Sequence, residues 1–164
     1  MWKPSAKPVM VSLVLRLLWS HTVVVVGLKL VMPSLVPGVP RVRAAIIWYA
    51  VSDFLALDLE ATDNFEAHLF GGPIGEHLEL ARTASAIMYV GPDAPPILIQ
   101  HGEADTWVPF DQALRLEKAL QSVGAPVELD AIPGADHFFG GAPDVELIFE
   151  RALAFLRRAD SELA

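Results

Sequence analysis

P-I-L-I-Q-H-G-E-A-D-T-W-V-P, residues 96–109, decides the fold of this chain. Its first half, Pro96–Gln100, is an apolar run of strand length without the alternation of a half-exposed strand. Continuous runs of this kind suit a sheet covered on both faces. Its second half is a tight turn that lifts Asp105 off the strand end, and Pro109 starts the following helix. Over Pro109–Val123, Ala113, Leu116, Leu120 and Val123 share one face at helical spacing, and Gly124 supplies the stop.

Outward from this unit, Val127–Ile132 and Ala44–Ala50 are two more strand-length apolar runs. Asp144 is placed to cap a last helix with the stripe Val145, Ile148, Phe149, Ala152, Phe155 and Leu156. Arg157 and Arg158 then fall in its last turn, where cations suit the helix dipole. Strand–helix–strand–helix order predicts an α/β fold with a parallel sheet and right-handed crossovers. Functional residues of such sheets gather in loops beyond the carboxyl ends of the strands. Asp105 and His137 both lie in such loops. Residues 54–90 exceed a simple connection and carry a helical stretch near Glu76–Thr83, which suggests an excursion over the sheet that caps the site.

Composition narrows the function classes. The chain has 164 residues, 53% hydrophobic and 20% charged, which favours a folded core over disorder. A formal charge of −8 repels phosphate backbones, so nucleic acid is not an expected partner. The chain has no cysteine, which excludes disulfides, thiolate catalysis and zinc sites of the cysteine type. The five histidines (His21, His68, His77, His101 and His137) show no H-E-x-x-H pair or other close ligand spacing, and no metal is implied.

Three regions differ in character. Residues 1–32 are Val/Leu-rich, 33–43 form a proline-punctuated connection, and 44–164 are of ordinary globular composition. The apolar run Val9–Met32 follows Lys3 and Lys7 and superficially resembles a signal peptide or membrane span. Arg16, His21 and Lys29 interrupt it, and each central charge costs about 2.5–3.5 kcal/mol in an inserted helix. The preferred reading is a buried segment of a soluble, cytoplasmic protein, with targeting or membrane association as the alternative.

Asp105 and His137 also suit each other chemically. A histidine that takes a proton from a nucleophile needs a carboxylate to orient it and to stabilise its charge. Gly134 and the pair Gly140-Gly141 leave the His137 loop free to bring an imidazole over the sheet. The order acid then base is that of α/β hydrolases. Each residue alone is as easily a cap or a solvated side chain, and the information lies in the combination.

From about Val42 to Arg158 the sequence resembles the esterase/lipase branch of the α/β-hydrolase family, including feruloyl-esterase-like and prolyl-oligopeptidase-like members. W-Y-A-V-S-D-F (48–54), F-G-G-P (70–73) and A-S-A-I-M-Y-V (84–90) join the two motifs above in carrying the likeness. The resemblance implies the C-terminal portion of a mostly parallel α/β-hydrolase sheet flanked by helices, with the early strands missing. It assigns Asp105 as acid and His137 as base of a triad, and implies a small-molecule ester substrate and no cofactor. Trp107 and Phe138 have two readings, walls of an acyl or alcohol pocket or members of the core. His101 reads as structural.

The sequence departs from the family at the nucleophile. No G-x-S-x-G occurs, every serine lacks paired glycines, and the H-G-G-G type loop of the oxyanion hole is missing. Aligning Ser20-His21-Thr22 on the family's pattern puts Leu17 at the nucleophile position. Residues 9–32 then read as a degenerate or frame-shifted nucleophile elbow and helix. Three functions follow for comparison: an ester hydrolase, truncated or impaired; a non-catalytic remnant that forms a homodimer through an open sheet edge; and a membrane-anchored hydrolase piece.

Overall fold

The computed structural model describes residues 43–162. The apolar segment 9–32, Leu17 and all of the 33–43 connection except Arg43 lie outside the described residues. Three strands, β1 (Ala45–Trp48), β2 (Ile97–Gly102) and β3 (Val127–Ile132), form a parallel sheet in the order β1-β2-β3. All six residues of β2 are buried, as its unbroken apolar run and central position require.

Strand side chains alternate between two faces, and each face has its own helix. Ala45, Ile97 and Ile99 point to one side, where Ala113, Leu116 and Leu120 of α3 (Asp111–Ser122) close the core. Ile46 and Leu98 point to the other, against Ala152 and Phe155 of α4 (Val145–Glu162). The α/β architecture expected from the sequence is thus observed, with β2–α3–β3 as its central crossover. Asp144 caps α4 by accepting from the Leu147 amide at 2.9 Å.

Two details of α4 differ from the sequence reading. The helix runs on to Glu162, so Arg157 and Arg158 lie a turn short of its end. Its buried face is also narrower than the apolar stripe: Ile148, Ala152 and Phe155 are buried, whereas Val145 and Phe149 are exposed. Among the described residues no helix is long and apolar enough to cross a membrane.

Residues 54–90 hold 3-10 turns at Phe54–Ala56, Ile74–His77 and Ala86–Tyr89, with short helices α1 (Phe65–Phe70) and α2 (Leu78–Ala84). They enclose a separate apolar cluster of Phe54, Phe70, Ile74, Ala81 and Ala84. Ser85 Oγ accepts from the Phe54 amide at 3.0 Å, and Gln112 Oε1 in the first turn of α3 accepts from the Ser52 and Asp53 amides at 2.9 and 2.8 Å. The first bond closes the excursion on itself, and the other two anchor the chain entering it to α3.

Candidate active site

Two loops leave the carboxyl ends of neighbouring strands and are stitched to each other. The Glu103 amide donates to Ile132 O at 3.0 Å, and the Ala104 amide donates to Ala135 O at 2.9 Å. This approach demands glycine at 102, because a Cβ there would sit 2.2 Å from Ala135 O. Asp136 adds a second tie: it accepts from Thr106 N at 2.8 Å, Thr106 Oγ1 at 2.9 Å and His137 N at 2.8 Å. Those bonds favour the charged carboxylate and hold Asp136 below its ordinary range.

The stitching brings Asp105 and His137 together. Asp105 Oδ2 accepts from His137 Nδ1 at 2.8 Å, and both side chains are buried. Asp105 Oδ1 accepts from the Trp107 and Val108 amides at 2.9 and 2.8 Å, which closes a local turn around the carboxylate. Burial pushes the Asp105 carboxyl up, but bonds from His101, Val108, His137 and Trp107 outweigh it, and the net direction is down. The acid therefore stays ionised beside the imidazole. With Nδ1 facing a carboxylate, neutral His137 carries its hydrogen there and its lone pair on Nε2.

Aromatic rings wall the imidazole. Trp107 stacks on His137 with centroids 5.3 Å apart and planes 15° apart, and Phe138 meets it edge-on at 4.4 Å. Trp107 is 59% exposed and Phe138 47%, so both rings stand at the surface beside the buried imidazole. From below, the ring of buried Tyr49 lies 4.7 Å from that of His137. Burial, and then the Asp105 charge, raise the Tyr49 hydroxyl and keep it protonated.

Among the described residues three non-glycines have positive φ, Tyr49 at 37°, Phe138 at 57° and Phe139 at 61°. Each such conformation costs on the order of 1–3 kcal/mol, and such strain gathers at functional sites. Tyr49, Thr106 and Gly102 stand within the quoted motifs, but the sequence assigns them no role. Asp136 was visible as the D of G-A-D-H but had no assigned role. The hydroxyls of Ser52, Ser85 and Ser122 donate to the carbonyls of Gln112, Ala81 and Ala119. None of these three is positioned as a nucleophile for His137.

Residues 35–120, just over half of the chain, match the BD-FAE family of α/β-hydrolase esterases. The chain belongs to the BD-FAE family. The esterase LipQ of Mycobacterium tuberculosis is 31% identical over 141 residues, which cover 77% of this chain and 32% of LipQ. Among solved structures, a truncated carbohydrate esterase from gut microbiota superposes with a TM-score of 0.62 at 27% identity, covering 73% of this chain and 44% of that one. A puromycin-hydrolyzing peptidase of Mycobacterium tuberculosis gives 0.60 at 31% identity, covering 71% of this chain and 18% of that one. This BD-FAE chain thus spans about a third of the length of LipQ. The family match includes His101, Asp105 and Trp107, and the His137 loop lies beyond it.

Proposed function

We propose that this BD-FAE chain carries the acid and base of a serine-hydrolase site for carboxylic esters, with Asp105 as the acid and His137 as the base. The observation that carries the reading is the 2.8 Å bond from His137 Nδ1 to a buried, ionised Asp105. In that arrangement Nε2 of His137 takes the proton of an attacking hydroxyl, and Asp105 stabilises the imidazolium that forms. Trp107 and Phe138 flank the position an ester would occupy, offering apolar surface to its acyl or alcohol part. The chemistry uses side chains and water and needs no cofactor.

The sequence has no G-x-S-x-G, so a full covalent cycle is not expected from this chain alone. An activated ester relaxes that requirement: His137 Nε2 takes a proton from a water as its oxygen attacks the ester carbonyl, and p-nitrophenolate then leaves without needing protonation. The full chain should therefore hydrolyse p-nitrophenyl butyrate slowly. His137→Ala should lower that rate at least tenfold, toward the background, since a positioned general base contributes roughly 10²–10⁴-fold. Equal rates for the wild type and His137→Ala would overturn the reading.

The alternative of a non-catalytic module rests on one feature: among the described residues β1 pairs with β2 alone. An open edge of this kind can pair with a second copy. A stable dimer at micromolar concentration, inert toward esters, would favour that reading.

A further inference from the structure

His101 is the last but one residue of β2 and is completely buried, with its ring edge-on to Phe110 at 5.8 Å. A side chain that only filled this space would be apolar. Instead, an imidazole is taken out of water, and among the described residues its Nδ1 has no hydrogen-bond partner. Such a group carries a desolvation cost that space-filling does not explain. Its other nitrogen shows what the cost sustains. Nε2 lies 2.9 Å from Val108 O and 3.2 Å from Asp105 Oδ2. Both neighbours are acceptors, so Nε2 carries a hydrogen shared between them.

We propose that His101 is a positioning residue for the acid–base pair: its Nε2–H fixes the Asp105 oxygen that grips His137. This rests on the reading of Asp105 and His137 given above. Among the described residues four N–H groups face the carboxylate: the Trp107 and Val108 amides donate to Oδ1, His137 Nδ1 donates to Oδ2 at 2.8 Å, and His101 Nε2 lies 3.2 Å from Oδ2. His101 also holds the carbonyl of Val108, whose amide binds Oδ1, so one ring clamps both the carboxylate and the turn around it. The two imidazoles divide the work by location. His101 is sealed in the sheet, and His137 stands beside the exposed rings of Trp107 and Phe138.

The titratable groups facing Asp105 are His101 from β2, His137 and Asp136 from the loop after β3, and Tyr49 from the end of β1. Of these, His101 and His137 donate hydrogen bonds to its carboxylate. Removing a donor from an ionised carboxylate makes it easier to protonate.

The test is the carboxyl titration of Asp105, followed by NMR in the full chain with ¹³C-labelled aspartate. His101→Asn keeps a polar amide too short to reach Oδ2, and His101→Gln places its amide nitrogen close to the position of Nε2. His101→Asn should raise the Asp105 titration by roughly one pH unit, and His101→Gln should bring it back toward the wild type. No change in either variant, or the same rise in both, would overturn the proposal. A check without any variant is the ¹⁵N spectrum of wild-type His101. Hydrogen on Nε2 and a bare Nδ1 support the proposal, and the reverse tautomer contradicts it. Neither measurement reads ester turnover, so a failure of the esterase assay and a failure of this proposal are told apart.

Discussion

Asp105 keeps its charge although burial pushes its carboxyl up. Among the described residues four N–H groups face its two oxygens, and with the carboxyl held below its ordinary range the folded state binds its proton less readily than the unfolded chain. The stability this contributes is complete above the ordinary carboxylate range. It is lost as pH falls through the lowered folded-state value. Thermal unfolding followed from pH 7 downward should therefore show an acid limb to which Asp105 contributes. Asp105→Asn should flatten that limb and lower the melting temperature at pH 7. A variant with an unchanged acid limb would mean that the carboxylate is not held as described. At this scale Asp105 and His137 were legible because their roles need fixed residue types in a fixed chain order. Tyr49 was not, because its role comes from a backbone turn with φ of 37° that no residue type at that position announces.

Between elements, the decisive contact is backbone on backbone. Gly102 ends β2 against the loop after β3, and a Cβ there would come within 2.2 Å of Ala135 O and 2.7 Å of Ala135 C. Neither atom belongs to a flexible side chain, so Gly102→Ala must push the two loops apart. It should cost about 1–3 kcal/mol or more in urea unfolding, as overpacking does. It should also break the bond from His137 Nδ1 to Asp105. A variant of wild-type stability would show that the loops accommodate each other more freely than the geometry allows. Leu120→Ala in α3, a buried contact far from the site, should cost about 2–5 kcal/mol while leaving the loop geometry intact. The strands and α3 were legible because apolar runs and helical spacing report burial directly. On α4 the stripe misled: Val145 and Phe149 have the right spacing but stand exposed. Spacing marks an apolar face without saying how much of it is covered.

For the whole molecule, the described residues form a three-stranded parallel sheet with one helix on each face. Its carboxyl ends present a buried carboxylate, an imidazole and two exposed aromatic rings. The parallel sheet and the placement of both loops after strands followed from the succession of apolar runs, whereas the strand order did not. The excursion of residues 54–90 did not follow. Its entry beside α3 is set by Gln112 and Ser52, polar residues whose pairing is invisible before folding. The aromatic wall was also ambiguous in sequence, since Trp107 and Phe138 are residue types that serve a core equally well. One bond is central to the site, the Nδ1–H of His137 held by Asp105, and low-field proton NMR of the full chain observes it directly. A strongly downfield ring proton assigned to His137, absent in both His137→Ala and Asp105→Asn, is the predicted result. A wild-type spectrum lacking that proton, or one in which it survives Asp105→Asn, would contradict the acid–base pair.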